Sequence, residues 1–172
     1  GGKAAQLRGD GFRFDMGPTI LTIPSVLRRI FSEAGARLED YLELVRLDTQ
    51  WRCFFDDGSV LDLAQNPNAM AQTLDAFAPG TNSGARYREF IDYSARLDGI
   101  SQRHFFYKPI GGLRDMFEWK VSFDPKMLGD VLAMRMGRSV AGTVRAFTPD
   151  PRVAQMIDHF TQYVGSSPYG SP

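Results

Sequence analysis

Glycine and proline cut this chain into short segments, so it can only build small elements, and the spacing between the breaks says which kind. Residues 4–15 read as two extended segments around Gly9-Asp10-Gly11, where glycine supplies the positive backbone angles of a tight turn. Gly17-Pro18 closes that hairpin, because proline donates nothing to a ladder and restricts its predecessor. Pro24 opens a helix with Val26, Leu27, Ile30 and Phe31 on one face and Gly35 beyond its last turn. Residues 42–47 alternate as a strand. Residues 51–55 and 60–63 flank Asp56-Asp57-Gly58-Ser59 as a second hairpin.

From Asn66-Pro67 onward the period becomes helical. Met70, Leu74 and Phe77 share a face until Pro79-Gly80, and Tyr87, Phe90, Ile91, Ser94 and Leu97 continue it in a long helix from Gly84 to Ser101. Residues 113–119, 125–136, 140–147 and 151–164 read as short helices separated by glycine or proline. The expected class is α+β: N-terminal strands contributing to a mixed sheet, then a helical region over about 84–164. No repeat, low-complexity tract or linker divides the chain.

At 172 residues the chain can bury roughly 70% of its unfolded surface, enough for a real core. Twenty basic against twenty acidic residues give no electrostatic footprint of a general nucleic-acid binder. Cys53 is the single cysteine, which rules out an internal disulfide, and with His104 and His159 the only histidines a Cys/His zinc site has no ligand set. No apolar run reaches the ~18 residues of a membrane span. The Gly1-Gly2-Lys3 start and the Ser167-Pro168-Tyr169-Gly170-Ser171-Pro172 end are both abrupt, and the expectation is a piece of something longer.

Charge is unevenly spread. Residues 32–68 carry eight acids against three arginines, a local balance of −5, whereas residues 100–147 carry eight bases against four acids, a balance of +4. The basic segment also holds Phe105, Phe106, Tyr107, Met116, Met127, Met134 and Met136. Such a stretch can lie on an anionic membrane or line an apolar ligand channel, and the same pattern serves an ordinary helical core.

No nucleophile elbow, no cysteine with a base beside it and no phosphate loop occurs, so hydrolase and kinase readings have no support. Gly111-Gly112 lacks dinucleotide spacing. Gly1-Gly2-Lys3 would let backbone approach a ligand closely beside a cation suited to phosphate.

Six blocks carry a resemblance: Gly1-Gly2-Lys3; Phe14-Asp15-Met16-Gly17-Pro18-Thr19; Leu38-Glu39-Asp40-Tyr41-Leu42-Glu43-Leu44; Phe55-Asp56-Asp57-Gly58-Ser59; Tyr87-Arg88-Glu89-Phe90-Ile91-Asp92-Tyr93-Ser94; and Tyr163-Val164-Gly165-Ser166-Ser167-Pro168-Tyr169. In this order they resemble the phytoene desaturases of the bacterial and fungal type, within the amine-oxidase-like flavoproteins. The resemblance implies a central fragment of an FAD-dependent enzyme that inserts double bonds into phytoene or a related polyene by hydride transfer to flavin. It implies residues 1–19 as the edge of an FAD-binding domain and 20–172 as a substrate-binding domain, the fragment alone being inactive. Related flavoenzymes act on squalene-type precursors or later carotenoid intermediates, and a non-catalytic lipid-binding module is the reading from a different class.

By position, the resemblance places Gly1, Gly2 and Lys3 at the FAD, and Gly17 and Pro18 near its ring. The family usually has arginine where Lys3 stands; lysine keeps the charge and loses the planar fork. Asp115 is the candidate for proton handling, with capping of a surface helix as its structural alternative, and Glu118 stands where the family often carries arginine. A polyene must be drawn from a bilayer. Leu128, Val131, Leu132 and Met134 are therefore expected to line a channel or meet lipid, with Lys126, Arg135 and Arg138 at headgroups. The expected location is cytoplasmic and peripherally membrane-associated; no metal and no nucleic acid are expected, and oligomeric state stays open.

Overall fold

The computed structural model describes residues 5–17, 20–106, 129–130, 132–135 and 137–172. The expected helix at 113–119 and most of that at 125–136 lie outside the described residues. The chain falls into two compact units, one reaching to Arg46 and one from Leu47 to Pro172.

In the first unit, β1 (Gln6–Gly9) and β2 (Phe12–Asp15) pair antiparallel, Gly9 opposite Phe12. Asp10 (φ 49°) and Gly11 (φ 81°) form the turn, both left-handed as a two-residue hairpin of matching twist requires. Helix α1 (Pro24–Glu33) begins on its proline. It ends in a glycine-centred cap: Gly35 (φ 74°) donates to the Ser32 carbonyl at 3.0 Å and Ala36 to that of Phe31 at 2.9 Å. A 3-10 turn at Leu38–Asp40 buries Leu38, and Phe31 packs on Tyr41 with ring centres 5.4 Å apart.

Residues 42–47 are not a strand. A strand exists only where a ladder partner accepts its amides; apolar alternation supplies the faces but no partner.

The second unit opens with β3 (Thr49–Phe54) and β4 (Val60–Ala64), antiparallel, with Trp51 opposite Leu63 and Cys53 opposite Leu61. The outward pair Arg52 and Asp62 meets in a two-pronged salt bridge at 2.6 and 2.7 Å. The α+β class is as expected. Among the described residues the strands form two separate two-stranded antiparallel sheets, rather than the mixed sheet, because each hairpin is closed by its own short turn and pairs with itself.

Helix α2 (Pro67–Phe77) is capped by the Asn66 side chain, which accepts from Asn68 and Ala69. It packs on α3 (Ser83–Ser101), whose first turns approach so closely that a Cβ on Gly84 would collide with the Ala71 carbonyl oxygen and the Asp75 carboxylate. Helices α4 (Val140–Phe147) and α5 (Pro151–Asp158) are capped by Ser139 and Asp150, and α5 tightens into a 3-10 turn at His159–Val164 that Gly165 (φ 66°) ends. Leu61, Leu63, Met70, Leu74, Val144 and Val153 are among the core residues, with Tyr87 and Met156 closing over them.

Candidate functional site

An apolar cavity of about 570 Å³ lies within the second unit. That falls in the range of roughly 300–1,000 Å³ typical of small-molecule sites. Helix α3 builds one wall: Tyr87, Phe90, Ile91, Ser94 and Leu97 recur at three- and four-residue intervals and so share a face. Val140, Thr143 and Val144 of α4 supply a second wall, Met156, Ile157 and Phe160 a third, and Leu63 of β4 also contributes.

Three of the five hydroxyls on these walls are spent on backbone carbonyls. Ser94 donates to the Phe90 carbonyl (2.9 Å), Thr161 to that of Asp158 (2.8 Å), and Tyr93 to that of Ala133 (3.0 Å). A ligand therefore meets mostly carbon. Below this wall Arg145 bonds the buried Asp158 carboxylate at 2.7 Å, the Ala141 carbonyl at 3.2 Å and the Tyr169 hydroxyl at 3.1 Å, tying α4, α5 and the C-terminal residues together.

Of the residues expected at a channel or membrane face, Met134 and Arg138 line the cavity. Leu132 is 70% exposed. Arg135 lies over the rings of Tyr93 and Phe147, 4.8 and 5.3 Å from their centres, a cation–π position that holds its charge on the protein. Gly17 is half-buried, directly after the last ladder bond of the first hairpin, from the Met16 amide to the Ala5 carbonyl (2.8 Å). Gly1, Gly2, Lys3, Pro18, Asp115, Lys126, Leu128 and Val131 lie outside the described residues.

The described residues contain no parallel strand–helix–strand unit of the kind that cradles a dinucleotide. Among them, no three His, Cys, Asp or Glu side chains stand close enough to hold a metal ion, and no helix is long and apolar enough to cross a membrane. Burial pushes the Cys53 thiol up, with the Asp62 charge adding to it, which keeps it protonated and a poor nucleophile.

Sequence reasoning did not single out Phe90, Leu97, Val144 or Phe160 as site residues, although it read their helices. One signal was available: Ser94 sits on an otherwise apolar stripe of α3, and its hydroxyl is satisfied within the helix.

What this α+β chain presents is an apolar cavity, and comparison with known proteins says what its relatives are named for. The chain is 37% identical over 172 residues to 4,4'-diapolycopene oxygenase of Methylomonas sp, covering 100% of this chain and 33% of that protein. It is 32% identical over 176 residues to carotenoid 3,4-desaturase of Haloarcula japonica (100% and 33%), and 34% identical over 177 residues to the zeta-carotene-forming phytoene desaturase of Myxococcus xanthus (100% and 32%). No family model matches. The chain is a homologue of carotenoid desaturases and oxygenases along its whole length, and spans about a third of the length of these curated relatives.

Proposed function

We propose that this chain is the substrate-holding part of an FAD-dependent oxidoreductase acting on a carotenoid or its polyene precursor. The observation that carries the reading is the apolar cavity between α3, α4 and α5, in which Tyr93, Ser94 and Thr161 turn their hydroxyls onto the protein's own backbone, in a homologue of carotenoid-modifying enzymes. Its task is to bind and orient a stretch of conjugated chain and to exclude water from it. A bound flavin would supply the hydride acceptor. Gly1, Gly2, Lys3, Gly17 and Pro18 are the residues proposed to face that flavin, and Asp115 the group proposed to handle the proton. The protein is proposed to work in the cytoplasm at a membrane surface, since its substrate is held in lipid; exposed Leu132 supports this.

The relatives named as oxygenases favour a second reading within the same class, action on a later carotenoid intermediate rather than on phytoene. Both readings are tested by expressing the protein as its gene encodes it in cells that accumulate phytoene or lycopene and extracting the pigments. New pigment from phytoene supports desaturation, and new oxygenated pigment from lycopene alone supports the second reading. Leu97→Trp, which fills the cavity from α3, is expected to cut product at least severalfold with protein level unchanged. Full activity in that variant would remove the cavity from the reaction.

A further inference from the structure

At the entry to α4, two polar groups on the cavity wall have no partner among the described residues. The Arg138 guanidinium makes no salt bridge, side-chain hydrogen bond or ring contact with any described residue, and neither does the Thr143 hydroxyl make a hydrogen bond. This sets them apart from their neighbours: Arg145 is spent on Asp158, Arg103 on Asp130 at 2.9 Å, and Arg135 on two rings. Both groups come from the entry to α4, Arg138 just before its Ser139 cap and Thr143 one turn in. Arg138 also lines a smaller recess of about 230 Å³ with Gly137, Ser139 and Ser171. An apolar cavity thus has a polar margin, carrying a fork of N–H donors that no acid among the described residues pairs with.

We propose that this margin recognises an oxygen-bearing end, carboxylate above all, on an otherwise apolar polyene, so that the site prefers an amphiphilic chain to a pure hydrocarbon. A hydrocarbon leaves the guanidinium with water and gains nothing from it. A carboxylate gains charge-assisted hydrogen bonds from Arg138 while its chain stays among Phe90, Leu97 and Val144. This rests on the reading that the cavity holds a polyene, and goes beyond it by naming the end group and the residue that selects it.

The test uses the protein as its gene encodes it, titrated with the fluorescent tetraene parinaric acid and with its methyl ester, which share one chain. Wild type is expected to bind the acid about tenfold tighter than the ester, some 1.4 kcal/mol. Arg138→Gln should bring the ratio close to one, mainly by weakening the acid, and Arg138→Lys should keep part of the preference. Leu97→Trp should weaken both probes alike. No preference in wild type, or a preference that survives Arg138→Gln, overturns the proposal while leaving the cavity reading intact. Indifference of both probes to Leu97→Trp overturns the cavity reading and this proposal with it. Loss of binding to anionic vesicles in Arg138→Gln with an unchanged acid-to-ester ratio would assign Arg138 to a membrane surface and overturn it as well.

Discussion

Two glycines of α3 look alike in the sequence and differ entirely in what surrounds them. A methyl group on Gly84 would meet the Ala71 carbonyl, part of the backbone of α2 that cannot step aside, while one on Gly99 would meet only the tip of Arg103 at 3.4 Å. Gly84→Ala is therefore expected to destabilise by about 1–3 kcal/mol through overpacking. Gly99→Ala should stabilise by up to about 1 kcal/mol, since alanine is the better helix former. Urea titration of both variants checks this; equal effects would mean that α2 and α3 do not meet as closely as described. At the same scale, the residue types that set the cavity's character were legible as an apolar stripe, and Arg138 was expected at lipid headgroups, but nothing in the sequence placed it or Thr143 on the wall of that cavity. Whether a polar side chain has a partner depends on groups far away in sequence.

The elements owe their ends to local chemistry, and one of those ends also carries a pH response. Asp150 caps α5 by accepting from the amides of Arg152 and Val153, and Arg152 returns to it at 3.0 Å while reaching Asp57 of the β3–β4 turn at 2.8 Å and lying 4.4 Å over the Phe77 ring. Arg152, by hydrogen bond first, holds the Asp150 carboxyl below its ordinary value; Asp57 is held low by Ser59 and then by Arg152. A carboxyl lowered on folding stabilises the fold above the ordinary aspartate value of about 3.9, and that contribution is lost as pH falls through the lowered one. Asp150→Asn keeps the capping oxygen and loses the charge. Its stability is expected to fall less steeply than wild type between about pH 4 and 2, measured by urea titration across that range; parallel curves would deny the pairing any role. Caps, prolines and glycine turns made α1, α2, α4, α5 and both hairpins readable in advance, because all of them act within a few residues. The 42–47 segment misled because alternation marks faces and says nothing of a partner strand.

At the scale of the molecule, the core residues from Leu61 to Ile157 all fall within the second unit, which also contains the whole cavity. Residues 47–172 expressed alone are accordingly expected to unfold cooperatively at nearly the midpoint of the full chain. A broad transition, or a midpoint lowered by more than about a quarter, would show that the core depends on residues before Leu47. Read by itself, the sequence determined where helices and turns begin and end, the α+β class, and through six ordered blocks the kinship with carotenoid desaturases, since each is encoded within a few adjacent residues. Only the tertiary structure decided that Leu63, Leu97, Met134, Arg138 and Phe160 share one cavity, that Arg135 lies on aromatic rings, and that Arg138 pairs with no acid among the described residues. Those facts depend on which distant elements meet, and local periodicity carries no information about that.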